Sequence, residues 1–135
     1  MKKHLLALAV TLAATGSVWA QASDTLAKIK SSGTVTLGVR ESSGLGYTLG
    51  NGKYVGFHTE MGERVLADIQ KQLGLAKLDI KYQPVTSQNR IPLVTNGTVD
   101  IECGSTTNNT ARQKEVAFAV TTYVEEVRIA VNAKS

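Results

Sequence analysis

The order of its hydrophobic patterns limits this chain more than any other feature: strand-like, helix-like and strand-like stretches follow one another. Thr34-Val35-Thr36-Leu37-Gly38-Val39 alternates and is rich in β-branched residues, as a strand should be. Met61, Val65, Ile69 and Leu73 then recur every four residues, Leu66 widens the stripe and Gly74 ends it, which predicts a helix. Leu78 to Val85 reads as the next strand, with Leu78, Ile80 and Tyr82 on one face. The same alternation continues on a smaller scale. Ser87 is the expected N-cap of a short helix through Ile91, Leu93 and Val94, with Pro92 in or near its first turn and Asn96-Gly97 as its stop. Val99-Asp100-Ile101-Glu102-Cys103 follows as a third strand. Upstream, Ser23-Asp24 can cap a short helix that buries Leu26 and Ile29 and stops at Gly33. Downstream, Ala111 to Glu115 reads as a helical turn and Glu126 to Ala133 as a fourth strand. The Gly- and Ser-rich run from Glu41 to Lys53 and the polar run from Gly104 to Thr110 read as loops. Such alternation predicts an α/β layer architecture, a mostly parallel sheet flanked by helices.

The first residues stand apart from this pattern. Lys2, Lys3 and His4 form a basic head, Leu5 to Val18 carries no acidic or basic side chain, and small residues close the sites Val18-Trp19-Ala20 and Ala20-Gln21-Ala22. That is the build of a secretory signal peptide over residues 1–22. A membrane anchor is the rival reading, but the apolar run is shorter than the ~20 residues a spanning helix needs. Cleavage after Ala22 removes Lys2 and Lys3 and no acidic residue, so the formal charge of +4 becomes +2. No long basic run remains and aromatics are 5%, which argues against a nucleic-acid surface. Cys103 is the only cysteine and His58 the only histidine after the signal, so a disulfide framework or a cysteine- or histidine-rich metal centre is not expected. No cofactor is implied. The mature residues 23–135 suffice for one domain.

Several motifs have plain explanations. Gly44-Leu45-Gly46 follows a strand, but Gly50 comes one position too late for a dinucleotide loop and no amphipathic helix opens there. His58 reads as a capping or surface residue at a helix entrance, not as a base. Glu125 and Glu126 would point to opposite faces of a strand and are read as solvated. The sequons at Asn96 and Asn108 matter only in a eukaryotic secretory pathway.

Two segments are more pointed. Thr86-Ser87-Gln88-Asn89-Arg90-Ile91-Pro92 puts an arginine in the opening turn of a helix, where its charge opposes the helix dipole. A guanidinium fork there suits a carboxylate ligand. Gly104-Ser105-Thr106-Thr107-Asn108-Asn109 is a run of small hydrogen-bonding residues just past a strand. Ligands of open α/β sheets bind outside the carboxyl ends of strands, and Arg40 also falls at such an end. The three segments are therefore expected to converge on one pocket.

The same segments carry a resemblance. Gly38-Val39-Arg40-Glu41-Ser42-Ser43, the run from Thr86 to Leu93, Asn96-Gly97-Thr98 and the run from Glu102 to Asn109 resemble the glutamate/aspartate-binding proteins of ABC importers, from about Leu26 to the end. The resemblance implies the first lobe of a type II periplasmic-binding-protein-like fold, incomplete, with the second lobe absent from 23–135. It implies that Arg90 clamps the ligand α-carboxylate with Ser105 and Thr107, while Arg40, Ser87 and Ser43 meet the acidic side chain. Two departures stand out: Gly56-Phe57-His58-Thr59-Glu60 lacks the aspartate usual ahead of the helix, and Ala119-Val120 replaces a Ser/Asp pair.

On this basis the chain is expected to be a monomeric periplasmic solute-binding protein, not an enzyme. It would capture L-glutamate or L-aspartate for an inner-membrane ABC permease, with no nucleic-acid partner and no metal. The rivals are an exported enzyme on the same scaffold, such as a cyclohexadienyl dehydratase, a sensor input domain, and a non-functional truncated fragment. The enzyme would need an acid or base that the sequence does not show.

Overall fold

The computed structural model describes residues 24–126 and 128–133, and of Ser43 only the backbone. The signal-peptide expectation for 1–22 lies outside the described residues. Helix α1 (Thr25–Ser32) starts where Asp24 Oδ1 accepts the N–H groups of Leu26 and Ala27, at 3.1 and 3.3 Å. It stops at Gly33, whose φ of 63° lets its N–H return to the Ile29 carbonyl. Strand β1 (Thr34–Val39) follows. The expected loop is not all irregular: β2 (Tyr47–Thr48) and β3 (Tyr54–Val55) form a small antiparallel hairpin within and just after it. Helix α2 (Phe57–Gln72), β4 (Asp79–Pro84), α3 (Arg90–Thr95) and β5 (Ile101–Glu102) complete the layer.

The main sheet has the order β4-β1-β5, all parallel. With β1 in the middle, the carboxyl ends of all three strands lie along one edge. Val35, Leu37 and Val39 of β1 join Ile29 of α1 and Leu66 of α2 in one core cluster, each at most 2% exposed. Burying side chains of this size contributes about 1.5–3 kcal/mol each. The core-facing stripe of α2 is kept in its second half, where Leu66 is buried and Ile69 and Leu73 pack against the core, but it is turned in the first half. His58, Thr59, Gly62 and Leu66 are buried, whereas Val65 is exposed. Gly62 explains the rotation. A Cβ there would lie 3.1 Å from Leu37 Cδ1 and from Cys103 Cβ, so the helix backbone is pressed onto the sheet at that point. His58 is accordingly buried against Phe57, not a surface residue as expected.

The start of α3 also departs from expectation. Thr86 and Asn89 bond reciprocally, Thr86 N to Asn89 Oδ1 at 2.7 Å and Asn89 N to Thr86 Oγ1 at 3.2 Å, which is the logic of a capping box. Ser87 is therefore not the cap. Residues 126 and 128–133, expected as a fourth strand, form no strand. A strand exists only where its N–H and C=O groups find a partner ladder, and Val124, Ile129 and Val131 here stay exposed. The turn expected at Ala111 to Glu115 appears as a short 3-10 turn, Arg112–Lys114.

Candidate ligand site at the carboxyl edge of the sheet

Arg40 leaves β1 at this edge, the Thr86–Asn89 turn leaves β4, and the polar loop leaves β5. Between the first two opens a cleft of about 350 Å³ lined by Arg40, Glu41, Tyr54, Thr86, Ser87 and Gln88, among others. Because Thr86 closes the capping ring, Ser87 remains exposed at the cleft wall. Tyr54 forms another part of the wall and stacks on Tyr82, with ring centroids 5.8 Å apart. The Tyr82 hydroxyl donates to Glu63 Oε1 at 2.5 Å, which ties this wall to α2. Burial first, and then this bond, push the Tyr82 phenol up to about 12.

Arg90 begins α3 and is 5% exposed, yet its Nε and Nη1 are buried with no hydrogen-bond partner among the described residues. Arg40 Nη1 and Glu102 Oε1 share that condition. The Arg90 guanidinium is pushed below the usual arginine range by burial; Glu102 opposes this, while Arg40 and Arg112 add to it. Four charged groups, three of them cationic, thus meet behind and beside the cleft. Buried donors left unpaired are costly, about 1–3 kcal/mol each and more for charged groups, so they mark a place where an acceptor belongs.

The loop after β5 is held in shape by its own side chains. Arg112 Nη1 donates to the Thr107 carbonyl at 2.9 Å, Asn109 Oδ1 accepts the Arg112 N–H at 3.0 Å, and Gln113 Nε2 donates to Asn108 Oδ1 at 2.7 Å. Thr106 donates its hydroxyl to Glu102 Oε2 at 2.7 Å. Ser105 is half-buried in this loop and Thr107 is exposed. Neither lines the cleft, and nor does Arg90. Arg40 and Ser87 do share it, and Arg90 joins them through the charge cluster. Of Ser43 only the backbone, opening a short 3-10 turn after Arg40, is described. Sequence reasoning named neither Glu102 nor Arg112 as a site residue. The available signal was an acidic residue closing a short strand immediately before the polar run.

Cys103 sits behind the site, next to Gly62. Burial, with a smaller contribution from Glu102, pushes its thiol up to about 11. It is thus a neutral thiol near pH 7, a poor nucleophile and a poor metal ligand.

This partial α/β domain, a parallel sheet flanked by helices, has the fold of the type II periplasmic binding proteins. The solute receptor for L-cysteine of Neisseria gonorrhoeae has this fold: it matches with a TM-score of 0.61 and 27% identity over 70% of this chain and 37% of its own. The chain belongs to the bacterial extracellular solute-binding proteins, family 3, which it matches over residues 35–135. It is 53% identical over 98 residues to the L-glutamate/L-aspartate-binding protein of Pseudomonas aeruginosa, covering 71% of this chain and 32% of that protein. It is 42% identical over 125 residues to the glutamate/aspartate import solute-binding protein of Escherichia coli, covering 92% of this chain and 41% of that protein. The chain therefore spans about a third to two fifths of the length of these curated relatives.

Proposed function

We propose that residues 23–135 are the first lobe of a periplasmic solute-binding protein that captures L-glutamate or L-aspartate for import through an inner-membrane ABC permease. Residues 1–22 are its export signal. It acts as a monomer, needs no cofactor and catalyses no reaction. One observation carries this reading: Arg90 and Arg40 hold buried, unpaired guanidinium atoms at the strand edge where α/β sheets receive ligands. The names of the relatives support the substrate class.

The chemistry follows from the donor set. A guanidinium taken out of water with no acceptor regains hydrogen bonds when a carboxylate enters, and two planar forks suit a ligand with two carboxylates. Arg90 takes the α-carboxylate, with Ser105 and Thr107 as neutral donors. Arg40 and Ser87 take the side-chain carboxylate from the cleft, and Ser43 is assigned to the same carboxylate by the family resemblance.

A thermal melt of the chain with excess L-glutamate, L-aspartate or L-glutamine tests the reading. A ligand that binds only the folded state at about 100 times its Kd stabilises it by about 2.7 kcal/mol. Upward shifts with both acidic amino acids and a smaller one with glutamine are expected. No shift with either acidic ligand sinks the reading.

A further inference from the structure

Asp100 and Glu102 stand two positions apart, and only the first has both oxygens engaged. Asp100 Oδ1 receives Lys28 Nζ at 2.7 Å and Oδ2 receives the Thr36 N–H at 2.9 Å. Glu102 Oε2 receives the Thr106 hydroxyl, but Oε1 is buried with no partner among the described residues. A Cβ on Gly104 would collide with Oε1 and lie 3.6 Å from Arg40 Cβ, so the glycine leaves room for this carboxylate beside Arg40. Arg90, nine-tenths buried, feels the same negative charge. A carboxylate and two guanidiniums that were there only for stability would pair with one another, since unpaired buried charges are destabilising. Here each keeps an unpaired atom. The carboxylate is fixed by a neutral hydroxyl and its charge is left to act on whatever enters.

We propose that Glu102, held in place by Thr106, is a specificity-determining residue: its negative charge makes the arginine-lined edge favour aminodicarboxylates over plain dicarboxylates. This rests on the acidic amino-acid reading and deepens it. L-glutamate and glutarate share a five-carbon chain with two carboxylates, but the ammonium group of glutamate reduces its net charge from −2 to −1. The arginines attract the carboxylates of both ligands. Glu102 repels glutarate by one additional unit of charge. At a separation of about 8 Å and an effective dielectric of about 20, one unit charge is worth on the order of tenfold or more in Kd.

The test is calorimetric titration of the full chain with L-glutamate and with glutarate, in the wild type, Glu102→Gln and Thr106→Val, at one pH and ionic strength. The wild type is expected to bind glutamate more tightly than glutarate. Glu102→Gln should narrow that ratio about tenfold, chiefly by tightening glutarate. Thr106→Val keeps the charge but frees it to turn towards the arginines, and should narrow the ratio less. If Glu102→Gln has no cooperative melt, the decision passes to Thr106→Val. An unchanged ratio in the folded variant, with glutamate still bound, overturns the proposal alone. A wild type that binds neither ligand overturns both the acidic amino-acid reading and the role given to Glu102.

Discussion

The two ends of β5 treat charge in opposite ways. At the amino end, Asp100 is 4% exposed in its side chain and fully used: Lys28 on one oxygen, the β1 backbone on the other. At the carboxyl end, Glu102, Arg40 and Arg90 feel one another's charge, and four of their buried atoms have no partner among the described residues. The first arrangement clips α1 and β1 to the strand. The second leaves hydrogen-bonding capacity unused, which a fold alone does not need. A buried charge thus reveals its role by whether its partners are already in the chain.

The sharpest way to break this contrast is to remove one group from each end. Arg90→Ala is expected to weaken acidic amino-acid binding about 100-fold or more, as truncating one side of a buried charge pair does. It should leave a cooperative melt, because two of the guanidinium nitrogens it deletes have no hydrogen-bond partner among the described residues. Calorimetry and a melt on the same sample check both halves. Retained affinity would take Arg90 out of the site.

Asp100→Ala should do the reverse. It strands the Thr36 N–H and Lys28, so a loss of about 2 kcal/mol in unfolding free energy is expected, measured by urea titration. Affinity in the folded protein should stay within a factor of about two, the size of a remote perturbation. A large change in affinity with unchanged stability would erase the distinction between the two ends.

Arg40→Ala refines the comparison inside the binding end. Arg40 lines the cleft and Arg90 does not, so Arg40 should read the ligand side chain. Glutamate is expected to lose about tenfold more affinity than glutamine, the size of one charge pair lost in a partly buried site. Equal losses for both ligands would remove Arg40 from side-chain recognition.

The strands of the sheet are legible in the sequence, the binding end only partly, and the pairing of Asp100 with Lys28 and Thr36 not at all, because it joins residues 72 and 64 positions apart. Alternation marked β1 and β4 because their packing obeys a local period, and Gly33 and Asp24 acted as stop and cap by local bonds. Leu66, Ile69 and Leu73 pack on the core as their spacing predicts, but Val65 does not, because Gly62, which carries no hydrophobic signal, decides how closely the helix approaches Leu37. A serine just before a helix predicts a cap, and Ser87 fits that local pattern. The actual ring needs Thr86 and Asn89 three apart, and it leaves Ser87 exposed at the cleft wall. Arg40 and Arg90 stood out as charges at strand ends. Glu102 did not, because its meaning depends on which oxygen lacks a partner, and only packing determines that.

The smallest effect concerns Tyr82, a paired group that reaches towards the cleft. Its hydroxyl donates to Glu63, and its ring stacks on Tyr54 in the cleft wall. The folded phenol holds its proton up to about 12, whereas the unfolded one releases it near 10.0. The native state therefore binds more protons between those values, so this contribution to stability is complete below pH 10 and is lost as pH rises towards 12. Tyr82→Phe keeps the stacked ring and deletes the titrating group. Its thermal stability should start below that of the wild type at pH 9 and converge on it by pH 12, while glutamate affinity at pH 7 is unchanged. Parallel stability curves would mean that the Glu63 bond does not hold the proton. A change in affinity at pH 7 would mean that this pair belongs to the binding end after all.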